Sequence, residues 1–436
     1  MNETNNSKRC GTGEYIVNRE HIIIKTPHAG NIADIQEKAI AAGQVLNGRN
    51  IAVYGMAALI DDPSDPKRQH LASHATLVNQ GVIEIYIHDM VEAYKEQIQQ
   101  NPKDTEHLYR FVKIFAMAAG KDSLIVNEGK IIIHFDQGAE SDTPVYGETL
   151  LCGENSTIIN RGEIELLGDG SYNTQARAIA VPADNMTIIN DGRICLDMDR
   201  CSTIRILATT GNGGSIVNNG RISVKSSGRI MTIARFSNTQ LLNTGEVDIV
   251  SRARFIINKV SFLYQSYPLA CAFYEHELPN ATEVPAIVNS GKIHVHLEGT
   301  EESTPQAVAF GIYSEMVGME QKAHRFENTG EIRVTKSGPH DYLVAEVGCN
   351  VQAKKNFPYR VAIGEWHTKA RDFARTKDLF VCGSGIFDFA DTQMVYDNND
   401  KISIDNATLV YQTEEAAQRG DTCTVNNIEK INSTNI

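Results

Sequence analysis

The sequence predicts an all-β fold: a right-handed parallel β-helix with helical insertions and capped ends. Three observations carry this. A frame of Asn-x-Gly-x-Ile/Val recurs along most of the chain, the residues after each Gly alternate, and a further apolar stretch lies about a dozen residues before each Asn. The frame stands at Asn79/Gly81/Ile83, Asn127/Gly129/Ile131, Asn160/Gly162/Ile164, Asn190/Gly192/Ile194, Asn218/Gly220/Ile222, Asn243/Gly245/Val247, Asn289/Gly291/Ile293 and Asn328/Gly330/Ile332. The Asn-to-Asn steps are 48, 33, 30, 28, 25, 46 and 39 residues. A coil of about 25–30 residues with occasional insertions explains them all.

Each period reads as three short strands. Thr157-Ile158-Ile159 precedes the corner, and Arg193-Ile194-Cys195-Leu196-Asp197-Met198 shows the alternation that follows one. Ala178-Ile179-Ala180-Val181 and Ile230-Met231-Thr232-Ile233 supply the third strand. Asn and Gly tolerate φ > 0, so Asn-x-Gly is expected to turn the chain sharply between strands. Stacking at about 4.8 Å per rung places the eight frame asparagines in one column, as a hydrogen-bonded ladder.

In chain order, residues 1–70 read as an N-terminal cap of degenerate rungs. Ile16 to Ile24 is a copy with Glu20 in the Gly position, 31–42 has helical spacing, and Leu46 to Val53 is a second weak copy. The turn-rich Asp61-Asp62-Pro63-Ser64-Asp65-Pro66 precedes the repeats, which run over 71–337 with insertions at 89–120, 252–285 and 300–325. Val91, Tyr94, Ile98, Leu108, Phe111, Val112 and Phe115 predict a helical excursion in the first insertion. Residues 338–436 read as a C-terminal cap, with helices at 367–380 and 412–419 and a last copy over Val395–Ile404.

A net charge of −13 with scattered Lys and Arg argues against nucleic acid as a partner. The eight cysteines contain no Cys-x-x-Cys pair, and no metal or cofactor is expected. No apolar region follows Met1 to Arg9, so no secretory signal is expected, and no apolar run is long enough to span a membrane.

The repeated Ile189-Asn190-Asp191-Gly192-Arg193-Ile194 pattern, with Ala-rich strands such as Ala307 to Tyr313 upstream, resembles the passenger repeats of bacterial autotransporter and adhesin-type proteins. That resemblance implies a β-helix secreted or displayed at a cell surface and acting in adhesion. A cytoplasmic location stays open, because no leader is seen. The leading functional expectation is a non-enzymatic protein that binds a protein or glycan through its insertions. Phe262, Tyr264, Tyr267 and Tyr274 are the candidate ligand contacts. The alternatives are a polysaccharide-cleaving enzyme and an injected bacterial effector. For cleavage, Glu165 and Asp197 form the best outward diagonal, about 8 Å apart by strand spacing and rise, within the range of an inverting carboxylate pair. Asp197 also sits beside Lys225 as a cross-rung pair, and His294 and His296 share a face as a solvated pair.

Overall fold

A computed structural model describes residues 7–25, 45–47, 50–63, 65–88, 111–136, 145–171, 174–236, 238–254, 269–276, 287–303, 307–315, 324–339 and 343–349, together with six short strands between 378 and 432. All regular elements among the described residues are strands. The chain divides into two compact units, Met1–Leu207 with Ile256–Gln265, and Ala208–Phe255 with Ser266–Ile436.

In the first unit the chain visits three parallel sheets in turn, here A, B and C. The regular coil is seen in Val145–Leu151 (A), Thr157–Asn160 (B) and Glu163–Asp169 (C), followed by Thr174–Val181, Met186–Asn190 and Arg193–Met198. Like residues stack: Ile131 pairs with Ile83 and Ile164, and Ile164 pairs with Ile194. All four are fully buried, each contributing about 1.5–3 kcal/mol of apolar burial. The second unit repeats the order in Gln240–Asn243 (B), Glu246–Ser251 (C) and Leu269–His276 (A), and continues through Lys430–Asn432.

The Asn column lies inside the corner between sheets B and C. In the first unit Asn18 Nδ2 donates to Asn79 Oδ1 at 2.8 Å, Asn79 to Asn127 at 2.8 Å, Asn127 to Asn160 at 2.8 Å and Asn160 to Asn190 at 2.7 Å. In the second unit Asn218, Asn243, Asn289 and Asn328 are linked in the same sense, each at 2.7 Å. All nine are completely buried, so every unmade link would expose a buried amide to its full desolvation cost.

The frame glycines are there for space rather than for φ. None of them has positive φ. A Cβ on Gly129, Gly162, Gly192, Gly245, Gly291 or Gly330 would lie 2.0–2.1 Å from the carbonyl oxygen of the glycine one rung earlier. Glu20 fits this rule. The obstruction always comes from the rung before, and no described strand lies on that side of Glu20. Left-handed backbone occurs instead at the corner between sheets A and B, at His74, Asp122, Asn155 and Asn185, with φ between 53° and 57°. Asn and Asp suit that conformation because they hydrogen-bond locally, and the column is joined by Asn155 to Asp122 at 3.3 Å and Asn185 to Asn155 at 3.0 Å.

Several expected elements differ. Phe111–Ala118 is a strand of sheet A, not part of a helix, and residues 89–110 lie outside the described residues. Its residues 114–118 are all buried, and a strand covered on both faces has no alternation to separate it from a helix. For the same reason Leu269–His276 and Val308–Glu315, read as parts of insertions, are regular rungs of sheet A. The weak copy at Leu46 is a hairpin: Val45–Asn47 runs antiparallel to Asn50–Ala52, and the long strand Asn50–Asp62 turns back through Asp65–Leu71. The last copy is out of frame, since Lys401–Asp405 pairs with Asp378–Cys382 in sheet B, before the corner rather than after it. Asp378 to Phe380 is likewise strand where a helix was expected, while 367–377, 31–42 and 412–419 lie outside the described residues.

Candidate functional site

Alternation after the corner sends every second residue of sheet C outward, and parallel register lines these residues up in columns. In the first unit one column reads Ile23, Glu84, Ile132, Glu165, Cys195, and the next Lys25, Tyr86, His134, Leu167, Asp197. Glu84 is the centre of a cluster. Its carboxylate meets His21 Nε2 and His134 Nε2 at 2.8 Å each and accepts from the Tyr86 hydroxyl at 2.7 Å. His134 stacks on Tyr86 with 4.4 Å between centroids, and Lys25 lies 5.8 Å from the same ring.

Burial pushes the Glu84 carboxyl up, but the bonds from Tyr86, His134 and His21 outweigh it and hold the group below its ordinary value. The folded pKa is therefore the lower one. The stability contributed by Glu84 is complete above the ordinary carboxylate range and is lost as pH falls through the folded pKa. Glu84→Gln is accordingly expected to lower the urea midpoint at pH 7 and to have a shrinking effect below about pH 4. A constant difference across that range would count against the assignment.

In the second unit the outward columns of sheet C run Arg221, Glu246, Lys292, Glu331; then Ser223, Asp248, His294, Arg333; then Lys225, Val250, His296, Thr335. Residues of the first two columns line an open depression of about 310 Å³. Cations and carboxylates alternate up the first column, as cross-strand pairing favours. Within the second and third, Asp248 Oδ1 lies 3.0 Å from His294 Nδ1, and His294 Nε2 lies 3.0 Å from Thr335 Oγ1. His296 Nδ1 meets the same hydroxyl at 2.8 Å, and its Nε2 meets Ser337 Oγ at 3.0 Å. The two histidines are thus joined by a shared hydroxyl rather than separately solvated. Lys225 Nζ lies 3.8 Å from Glu298.

Sheet A carries charge under cover. Glu148 is 6% exposed and accepts from Arg177, which also donates to Gln175 at 2.7 Å and lies over the Tyr146 ring. In the second unit Arg235 and Glu275 are buried together, with Nη2 2.5 Å from Oε2.

The expected site residues fall as follows. Glu165 and Asp197 lie on neighbouring strands of sheet C, offset by two residues, and Glu165 is ion-paired to Lys130 at 3.0 Å. Tyr274 is not a surface ligand contact. It is 1% exposed in the rung Leu269–His276, packed near Phe236 and Tyr313, because its strand is covered on both faces. Phe262, Tyr264 and Tyr267 lie outside the described residues. The Glu84 and Asp248–Ser337 clusters were missed as clusters. Their members already stood in adjacent outward columns, and counting hydrogen-bonding partners across neighbouring rungs would have joined them.

Cys152, Cys201 and Cys271 are buried and unbridged. Burial raises the Cys201 thiol to about 12 and raises Cys152 as well, which keeps both protonated. Among the described residues no group of three or more His, Cys, Asp or Glu is placed to hold a metal, and no helix is long and apolar enough to cross a membrane.

Three stacked parallel sheets wound by one repeating coil define a parallel β-helix. Over residues 2–192, less than half of the chain and most of the first unit, the sequence is similar to the family described as the BigA third pectate lyase-like domain. No curated protein and no solved structure matches the chain.

Proposed function

We propose that the chain is a non-catalytic β-helical binding protein that lays a saccharide along the outer face of sheet C in the second unit. The observation that carries this is the composition of the depression there. Arg221, Lys292 and Arg333 offer donors, and Glu246, Asp248 and Glu331 offer acceptors. A polyol needs both kinds at close intervals, because each hydroxyl donates once and accepts up to twice. The described surface favours such a hydrated ligand over an apolar protein partner, since Tyr15 and Ile60 are its exposed large hydrophobic residues. Similarity to a pectate lyase-like domain, over residues 2–192 of the first unit, agrees with a saccharide as the class of ligand for the chain.

Binding is favoured over cleavage by the state of the carboxylates. A glycosidase acid needs a raised pKa, whereas Glu84 is held low and Glu165 is engaged by Lys130. A glycan array followed by calorimetry tests the reading. Arg333→Ala and Asp248→Ala are each expected to weaken the best saccharide by about tenfold, or 1.4 kcal/mol, without lowering the melting temperature. Unchanged affinity in both variants, or release of shortened products, would refute it.

A further inference from the structure

The hydrogen-bonded chain on this face has only one arrangement of protons when both imidazoles are neutral. A carboxylate only accepts, so His294 Nδ1–H donates to Asp248, and His294 Nε2 must accept from the Thr335 hydroxyl. Thr335 Oγ1, its hydrogen spent, accepts from His296 Nδ1–H, and His296 Nε2 accepts from Ser337. Every donor points along the chain toward Asp248. Both hydroxyl hydrogens are turned inward.

Protonation reverses this. A proton on His294 Nε2 makes that nitrogen a donor, so Thr335 accepts from both imidazoles and must aim its own hydrogen elsewhere. A proton on His296 Nε2 does the same to Ser337. Two acid equivalents therefore add two positive charges and release two hydroxyl donors at one spot. Burial and the neighbouring His294 hold His296 below the ordinary imidazole range, against Glu298 and Asp248.

The surrounding charges make the change count. Facing the pair are Asp248 and Glu246 one strand earlier, and Lys225 two strands earlier, beside Glu298. Lys292 and Glu298 are on their own strand, and Arg333 is on the next. With Arg221 and Glu331 of the same face these are four cations and four carboxylates, and Asp388 takes the following register position beyond Arg333. At neutral pH the face has no surplus of positive charge, and in acid it gains one.

From this geometry we propose that the His294–Thr335–His296 relay is a proton-operated anion site, which binds a carboxylate- or sulfate-bearing saccharide more tightly in acid. This rests on the saccharide-binding reading above.

Calorimetry of the whole chain at pH 7.5 and 5.5 tests it, with chondroitin sulfate and hyaluronan hexasaccharides as sulfated and carboxylated probes and maltohexaose as the neutral control. At least one anionic probe is expected to bind about tenfold more tightly at pH 5.5, and maltohexaose to change by less than about twofold. His296→Gln is expected to cut the acid gain to below about threefold while the melting temperature at pH 7.5 stays put. Nitrogen-15 spectra of the wild type should show both imidazoles protonated on Nδ1 at pH 7.5, a readout that needs no variant to fold. Saccharide binding that is equal at the two pH values would overturn the relay alone. No binding of any saccharide at either pH would sink the relay together with the saccharide reading. An Nε2-protonated tautomer on either ring would break the proton assignment.

Discussion

Replacing Gly192 with valine is expected to remove about 4 kcal/mol or more of stability, a large share of the roughly 5–15 kcal/mol typical of a folded domain. A Cβ at this position would lie 2.1 Å from the Gly162 oxygen, 2.8 Å from the Arg161 carbonyl carbon and 2.9 Å from the Gly162 nitrogen. All three are main-chain atoms. They cannot swing aside as a flexible side chain would, because Gly162 O accepts from Arg193 N at 2.9 Å and Asn160 O accepts from Gly192 N at 2.9 Å. Relieving the overlap means breaking corner hydrogen bonds at a point where Asn160 and Asn190 are also linked. Alanine already carries the offending atom, so Gly192→Ala should show much of the loss. Gly13 is the control: it has φ +74° and nothing within 4 Å, so alanine there should cost only the backbone strain of about 1–2 kcal/mol. Urea titration followed by circular dichroism separates the cases. A Gly192→Ala protein that unfolds with the wild-type midpoint would show that the rungs can slide apart freely.

Truncating Glu275 to alanine is expected to cost about 3–5 kcal/mol in the second unit. Arg235 is 1% exposed, and its guanidinium reaches Glu275 through Nε at 3.1 Å and Nη2 at 2.5 Å. Nη1 keeps its bond to the Thr239 carbonyl at 2.8 Å, but a neutral carbonyl does not compensate a buried positive charge as a carboxylate does. The pair Lys121–Glu154 is equally close, at 2.6 Å, yet both side chains are about half exposed. Glu154→Ala should therefore change stability far less than Glu275→Ala does. Thermal melts of the two variants under one set of conditions make the comparison. Equal small losses would mean that water reaches Arg235 in the folded protein.

The parallel β-helix was legible because its corners punish variation. Where a carbonyl stands 2.0–2.1 Å from any added carbon, only glycine survives, and the strand after it must alternate because one face is core and the other is solvent. The strands of sheet A obey no such rule. Tyr274 and Phe310 are buried where alternation would turn some side chains to water, so their segments looked like insertions. The hairpin at Val45–Asn47 mimicked the frame because Asn47-Gly48 suits a tight turn as well as a solenoid corner. The polar clusters were hidden by distance along the chain. Glu84 and His134 are 50 residues apart, and Asp248 and His294 are 46 apart, so they become neighbours only once the register is known.

The opposed directions of the bonds at the B–C corner bear on how far such a stack can extend. Main-chain N–H groups donate backward to the preceding rung, as in Glu128 to Asn79 and Arg161 to Asn127 at 2.7 Å. The side-chain amides of the same asparagines donate forward, as in Asn79 to Asn127. Two rows of amide dipoles, each of about 3.5 D in the peptide case, therefore run side by side in opposite senses and largely cancel. An α-helix accumulates partial charge at its ends because its dipoles add. This corner does not, so within each unit a further rung meets the same electrostatic environment as the one before it.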